Sequence, residues 1–184
     1  MARKTIVELQ AELTTLIADN TSGLITPANL RQMIGDFIQT MTPAYAVLSS
    51  LAATVRLANI TPAALPWLVE DIAQLPEFTT NIATGIIRRD ESIASTHVSV
   101  NLDIEGPNNT LIVAELYANG VPTNWRAAAN CLGAGRPVVL SLEAIHYSAV
   151  PVNYQIYVRS DVNGVSITFS NGVFLCSVLP VRTA

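Results

Sequence analysis

Residues 97–105 read HVSVNLDIE, and apolar and polar side chains alternate along the whole stretch. Because successive side chains of a strand point to opposite faces, the apolar residues share one face of a sheet and the polar residues share the other. A sheet with one apolar face must bury that face against another layer. The stretch therefore predicts a β-strand in a layered β domain.

Further strand-like segments follow towards the C-terminus, at residues 110–117, 137–145, 154–158, 165–169 and 173–178. The most continuously apolar of them is 137–145, which is typical of a central strand. Asn119-Gly120 and Asn171-Gly172 predict turns. The loop at Asn163-Gly164 lies between two strand-like segments and is a strong β-hairpin signal.

About eight strands in the last ~115 residues are typical of an antiparallel β-sandwich. We therefore predict a mainly β protein whose β-sandwich domain covers residues 67–184. A jelly-roll arrangement is favoured because it leaves few strand edges exposed. The pattern does not predict the order of the strands.

The first 42 residues follow a helical spacing instead and predict two short helices. The second helix opens at Thr26-Pro27, an N-cap residue followed by proline at the first helical position. The apolar stripe of the first helix is too short for a stable coiled coil, so that helix must pack on the second helix, on copies of itself in an oligomer, or on a partner. We predict an N-terminal helical anchor at residues 1–42. The expected docking or oligomer contacts are Leu9, Leu13, Leu30, Ile34 and Phe37.

Residues 43–66 join the two parts. They are rich in Ala, Ser, Thr and Pro, and Arg56 is their only charged residue. Such a segment is too apolar for a solvated linker. We predict an extended connector that lies along a surface, with one short strand near residues 55–60.

The composition favours a protein that lives in an assembly. The chain has 184 residues, of which 50% are hydrophobic and only 13% charged, whereas about 25% are charged in ordinary soluble domains. A surface so poor in charge is either buried against other subunits or built from Ser, Thr and Asn. We expect a homo-oligomer.

Several partner classes are excluded by charge and length. The net charge is −4 and the basic residues are scattered, so we expect no nucleic-acid binding. The longest uncharged run, residues 37–55, contains Pro43 and several polar residues, so we expect no membrane span. Glu8 and Glu12 interrupt any signal-peptide core, which favours synthesis in a cytoplasm.

No catalytic, metal or cofactor site is predicted. His97 and His146 have no Cys or carboxylate neighbours at ligand spacing, so structural roles are favoured over metal binding or catalysis. Asp103 and Glu105 share one face, as a glycosidase pair could, but acids on the solvent side of a strand are ordinary. Residues 161–164 begin like a calcium loop but lack the later ligands, and turn formation explains them.

Cys131 and Cys176 are the two cysteines. In a reducing compartment two buried thiols are favoured over a disulfide, although the sequence alone leaves the pairing open.

Two surface features remain open. The cluster at residues 88–91, RRDE, is interpreted as a solvated loop with cancelling charges, or else as a salt-bridge patch between subunits. Trp125 follows a turn, where an aromatic ring can stack on a sugar or anchor an interface, although core packing explains it equally well. The candidate surface-recognition residues are Trp125, Tyr147 and Tyr154.

Residues 19–38, DNTSGLITPANLRQMIGDFI, resemble a segment of structural proteins of tailed bacteriophages, in which I-T/S-P-A-x-L-R opens a short N-terminal helix. The segments LYANGVP at 116–122 and SNGV at 170–173 are similar to jelly-roll or tumour-necrosis-factor-like (TNF-like) domains of phage head fibres and decoration proteins. The resemblance therefore implies a jelly-roll or TNF-like β-sandwich. These families have no catalytic signature that could be carried over to this chain.

The resemblance implies a virion component without enzymatic activity or cofactors. It would be a homotrimer, made in the host cytoplasm, that docks on the phage capsid or another virion protein through residues 1–42 and displays its β domain. The alternative is a short tail fibre or tail adaptor whose β domain recognises a host-surface glycan. A host-wall hydrolase is a third hypothesis, for which only Asp103 and Glu105 offer support.

Overall fold

The computed structural model describes residues 26–41, 44–50, 54–65, 67–73, 77–90 and 94–179, together with Glu8 and Ala11, which are helical. Within these ranges lies one continuous helix, α1 (Pro27–Met41). The first six strands are β1 (Tyr45–Ser50), β2 (Thr54–Ala58), β3 (Ala63–Ala64), β4 (Val69–Ala73), β5 (Phe78–Asn81) and β6 (Ile86–Arg89). The other six are β7 (Ala94–Glu105), β8 (Leu111–Ala118), β9 (Val121–Asn130), β10 (Val138–Ser148), β11 (Val152–Ser160) and β12 (Val165–Leu179).

The strands form two antiparallel sheets. Sheet A has the order β10-β7-β12-β1-β4, and β2 pairs with the first half of β12 while β1 pairs with its second half. Sheet B has the order β5-β6-β11-β8-β9, and β3 pairs with the far end of β11. The inner faces of the two sheets pack on each other, which makes the predicted β-sandwich.

The alternation in residues 97–105 is confirmed by the burial of β7. Its apolar residues, including Val98, Val100 and Ile104, are buried. Across the sandwich they meet inward residues of sheet B such as Ile112 and Leu116, which belong to the same apolar core. Burying one such side chain contributes about 1.5–3 kcal/mol, so this inner face is the main source of stability.

The predicted boundary between connector and body is wrong. Residues 45–50 form β1, which lies inside sheet A between β12 and β4. Ala46 and Leu48 of β1 are fully buried in the core. The β domain therefore begins at Tyr45. The Ala-rich, charge-poor composition that suggested an extended connector is that of a buried strand, and β2 corresponds to the short strand expected near 55–60.

The start of α1 agrees with the sequence. The Thr26 side chain accepts a hydrogen bond from the backbone N–H of Asn29 at 3.2 Å, and its carbonyl accepts one from Leu30 at 3.1 Å. This is the geometry of an N-cap residue. The helix ends at Met41, one residue before the predicted boundary.

The three Asn-Gly dipeptides have three different structures. Asn119-Gly120 joins β8 and β9 in a two-residue hairpin turn, with φ of 51° and 75°. Asn163-Gly164 does not make the expected hairpin, because β11 and β12 belong to different sheets. The turn predicted at Asn171-Gly172 is also wrong, since β12 continues through it with a register shift between Ser170 and Val173.

Gly172 lies within the register shift of β12, at a point where the core leaves no room for a side chain. A Cβ at this position would lie 2.9 Å from Cζ3 of Trp67 and 3.0 Å from Cδ2 of Leu102. Trp67 is buried and packs against Phe174, with ring centroids 5.8 Å apart. The missing side chain of Gly172 thus makes room for the indole ring.

We expect Gly172→Ala to destabilise the protein by about 1–3 kcal/mol, because the added methyl group overpacks the site beside Trp67. Urea denaturation followed by circular dichroism measures the change. The matched control is Gly35→Ala in α1, where nothing lies within 4 Å of the added Cβ. Equal stability of the Gly172 variant and the wild type would contradict the prediction, because it would show that the core rearranges to accept the methyl group.

Both cysteines are buried and free, as predicted for two buried thiols. Burial raises the pKa of the Cys131 thiol, and the charge of Asp161 raises it further. Burial also raises the pKa of Cys176 well above its ordinary value. Both side chains therefore act as small core residues.

The strand at 137–145 was expected to be central and is not. It lies in β10, which forms one edge of sheet A and pairs only with β7 among the described strands. Leu140 and Leu142 point into the core, whereas Val139 and Ile145 point outwards and are exposed. The strand reads as almost continuously apolar because its outward face carries Val139 and Ile145 beside Ser141 and Glu143.

Candidate functional site

The outer face of sheet A, which is the face of β7, β10 and β12 that points away from the core, exposes a group of large apolar side chains. On β10, Val139 is 66% exposed, and Ile145 and Tyr147 are each 60% exposed. Val173 of β12 is also exposed on this face. Apolar side chains gathered on one face mark an interaction surface more often than scattered ones do.

A polar row crosses the same face between these apolar residues. Glu143 of β10 accepts a hydrogen bond from the Ser99 hydroxyl of β7 at 2.6 Å, and its other oxygen lies 2.6 Å from Nε2 of His97. Ser141 donates to the Asn101 side chain in the neighbouring position. These polar groups satisfy one another within the face. Covering them with another protein surface would therefore cost less than covering unpaired groups.

The two acids considered as a glycosidase pair are held by different partners. Asp103 accepts a hydrogen bond from the side-chain amide of Asn171 at 2.9 Å. Glu105 accepts one from the backbone N–H of Gly135 at 2.5 Å, in the loop between β9 and β10. Both carboxylates thus tie neighbouring segments to the end of β7.

The predicted docking residues are described only in part. Leu30 and Ile34 lie one helical turn apart on α1 and are 44% and 47% exposed. They form an apolar stripe that faces solvent. Leu9, Leu13 and the side chain of Phe37 lie outside the described residues.

The three candidate recognition residues do not form one surface. Tyr154 is fully buried, because it lies on the inward face of β11, and its prediction as a surface contact is wrong. Tyr147 belongs to the outer face of sheet A. Trp125 lies at the β9–β10 edge of the sandwich, half-buried against the core.

Trp125 borders a shallow, open depression at that edge, which we call the edge cleft. Its volume is about 370 Å³, and it is lined by residues 121–125 together with Ala118 and His146. The Trp125 and His146 rings meet edge to face, with centroids 5.8 Å apart. Nδ1 of His146 lies 3.0 Å from the hydroxyl of the buried Tyr154.

Arg89 is the residue that sequence reasoning missed. The interpretation of residues 88–91 as a solvated loop holds for Arg88, which pairs with Asp90, but is wrong for Arg89, which is fully buried. The guanidinium of Arg89 donates to Thr96 Oγ1 at 3.0 Å and to the carbonyls of Ser148 and Val150 at 3.1 and 2.8 Å. The alternation of β6, in which Ile87 also points inwards, was the available signal.

Burial lowers the pKa of His146 below its ordinary value of 6.5, and the charge of Arg89 lowers it further. Below pH 6.5 the unfolded chain therefore binds a proton at this histidine that the folded chain does not bind. We expect the free energy of unfolding to fall as the pH drops from about 7.5 to about 5, and His146→Gln to weaken this dependence. Urea denaturation of both proteins across this range measures it, and parallel pH profiles would contradict the prediction.

Two classes of site are not found in the described part of the chain. No group of three or more His, Cys, Asp and Glu side chains is placed to hold a metal ion there. Among the same residues, no helix combines the length and hydrophobicity that crossing a bilayer requires.

No family model and no curated protein sequence matches this chain. Solved structures do resemble it. The TNF Eiger of S. frugiperda superposes with a TM-score of 0.57 at 11% identity, over 77% of this chain and 96% of that one. The globular domain of zebrafish complement 1qA gives 0.55 at 9% identity, over 76% and 99%. Murine APRIL gives 0.54 at 8% identity, over 75% and 100%. These likenesses confirm the fold as a TNF-like, jelly-roll β-sandwich.

Proposed function

We propose that this chain is a structural protein that assembles as a homotrimer through the outer face of sheet A. Two features of this face carry the proposal. The edge strand β10 exposes Val139, Ile145 and Tyr147. The polar side chains between them hydrogen-bond to one another. Interfaces have apolar centres and paired polar groups of this kind.

A ring of three copies needs two different patches on each copy, since each chain contacts one neighbour on either side. The outer face of sheet A supplies one patch across β7 and β12, and its β10 edge supplies a second. The resemblance of the chain to phage head fibres supports three as the number of copies. The exposed apolar residues of the outer face support the position of the interface.

We propose further that residues 1–42 dock this trimer on the virion of a tailed phage, as a head decoration or head-fibre protein. The chain enters the β domain at Tyr45, beside Ser177 near the end of β12. The loops at 59–62, 131–137 and 161–164 lie at the opposite end of the strands. Docking through the helical segment would leave those loops displayed.

Binding to purified phage particles that lack the protein tests the docking step. We expect Ile34→Asp to abolish co-sedimentation with the particles while leaving the β domain folded, because it places a charge on the apolar stripe of α1. Arg31→Ala, an exposed residue of the same helix, is the control. Undiminished co-sedimentation of the Ile34 variant would contradict docking through this stripe.

A second candidate function is supported by the edge cleft. A tail fibre or tail adaptor that recognises a host glycan would use Trp125 there, but not Tyr154, which is buried. Gold labelling of a C-terminal tag in electron micrographs separates the two candidates, since the label would decorate heads in the first case and tails in the second.

A further inference from the structure

A row of polar side chains runs from the buried Arg89 to the edge cleft. Arg89 donates to the hydroxyl of Thr96 at 3.0 Å. Thr96 also acts on the Tyr154 hydroxyl: burial raises the pKa of Tyr154, and Thr96 lowers it. Tyr154 and Nδ1 of His146 are 3.0 Å apart. His146 then lines the cleft beside Trp125.

The chemistry of Arg89 fixes the direction of the first contact. A guanidinium can only donate, so the Thr96 oxygen accepts from Arg89 and the Thr96 proton is available to the Tyr154 hydroxyl. Burial raises the pKa of Tyr154, and Thr96 and Arg89 offset part of that rise. The Tyr154 proton is then directed at Nδ1 of His146.

Nδ1 of His146 therefore accepts a hydrogen bond, and the neutral ring carries its proton on Nε2. Burial and the charge of Arg89 lower the pKa of His146, which keeps the ring neutral near pH 7. Within the described part of the chain, Nε2 has no hydrogen-bond partner. The ring is also held in place by Trp125 on one side and by Tyr154 on the other, each at an edge-to-face angle of 88°.

We infer that the edge cleft is a binding site for a sugar ring, whose oxygen accepts a hydrogen bond from Nε2–H of His146 while its C–H groups contact Trp125. The site combines a fixed donor with an apolar wall of Trp125, Val121 and Pro122, and the side chain of Asn124 borders the same depression. A pyranose matches this combination because it has an apolar surface and a rim of hydroxyl groups. The open, shallow shape suits a terminal sugar of a larger glycan.

This inference rests on the second candidate function. Its first test needs no ligand. Nitrogen-15 NMR distinguishes the two neutral tautomers of histidine, and we expect Nε2–H for His146. Thr96→Val removes the link that sets the direction of the Tyr154 proton, so the tautomer ratio should shift towards a mixture. A predominant Nδ1–H form in the wild type would overturn the argument.

The second test titrates the full-length protein with methyl glycosides of galactose, mannose and N-acetylglucosamine, followed by the indole N–H signal of Trp125. We expect at least one sugar to shift this signal in a saturable way, while the signal of the buried Trp67 stays fixed. His146→Phe should weaken binding at least tenfold. His146→Gln keeps a donor near the position of Nε2 and should retain part of the affinity.

Arg126→Ala is the matched control, because Arg126 neighbours Trp125 on β9 but points to the other face of the strand. Sedimentation of every variant is measured alongside. Loss of assembly in Trp125→Phe, without sugar binding by the wild type, would assign the cleft to a subunit contact and overturn the proposal. The proposal would also be overturned if both His146 variants bound the sugar with the affinity of the wild type.

Discussion

Replacing Arg89 with leucine is expected to lower the free energy of unfolding by about 2–5 kcal/mol, because three hydrogen-bond acceptors lose their charged donor. The carbonyls of Ser148 and Val150 and the hydroxyl of Thr96 all accept hydrogen bonds from this guanidinium. Leucine would leave the buried Thr96 hydroxyl without this donor, and an unsatisfied buried group costs about 1–3 kcal/mol. The two carbonyls are only partly buried and contribute the remainder. Since a domain is stable by only about 5–15 kcal/mol, a large part of the stability would be lost.

The control for this substitution is its neighbour. Arg88 is half-exposed, points away from the core, and pairs with Asp90 at 2.5 Å. An exposed ion pair contributes at most about 1 kcal/mol, so Arg88→Leu should leave the urea midpoint nearly unchanged. If both variants shifted the midpoint equally, the hydrogen bonds of Arg89 would not be the source of its effect.

The second large effect is expected on assembly. Ile145→Glu puts a charge among the exposed apolar side chains of the edge strand β10, two residues from Glu143. Burying that charge against a neighbouring copy would cost more than the roughly 2 kcal/mol that defines an interface hot spot. We expect the variant to elute as a monomer from a size-exclusion column, with the circular dichroism spectrum of the wild type.

Val162→Glu is the matched control, because Val162 is 51% exposed but lies in the loop between β11 and β12. It should assemble as the wild type does. If the Val162 variant dissociated and the Ile145 variant did not, the outer face of sheet A would not be the interface. The interface would then lie near the loop between β11 and β12.

The sequence predicts the body of the fold well, because the period-two pattern of β7 and its neighbours reports directly on burial. Its errors have physical reasons. Residues 45–50 are rich in small apolar side chains, which look like a linker until β12 pairs with them. Asn171-Gly172 reads as a turn because the sequence cannot show Trp67, which takes the space of the missing side chain.

The candidate sites were predicted less well, because they depend on contacts between segments far apart in the chain. Trp125 was singled out because it follows a turn, and it lies at the edge cleft. His146, its neighbour there, was interpreted as structural, since the chain Arg89–Thr96–Tyr154 that fixes it joins three strands. The exposed face of β10 was taken for buried surface because apolar composition does not distinguish a protein core from a subunit interface.

The central claim is that the outer face of sheet A joins copies of this chain, and sedimentation equilibrium of the wild-type protein tests it most directly. The measurement is made over a wide range of protein concentrations, with Ile145→Glu alongside. We predict a single species of three times the chain mass for the wild type and of one chain mass for the variant. A wild-type protein that stays monomeric at every concentration, or a variant that still forms the three-chain species, would contradict the claim.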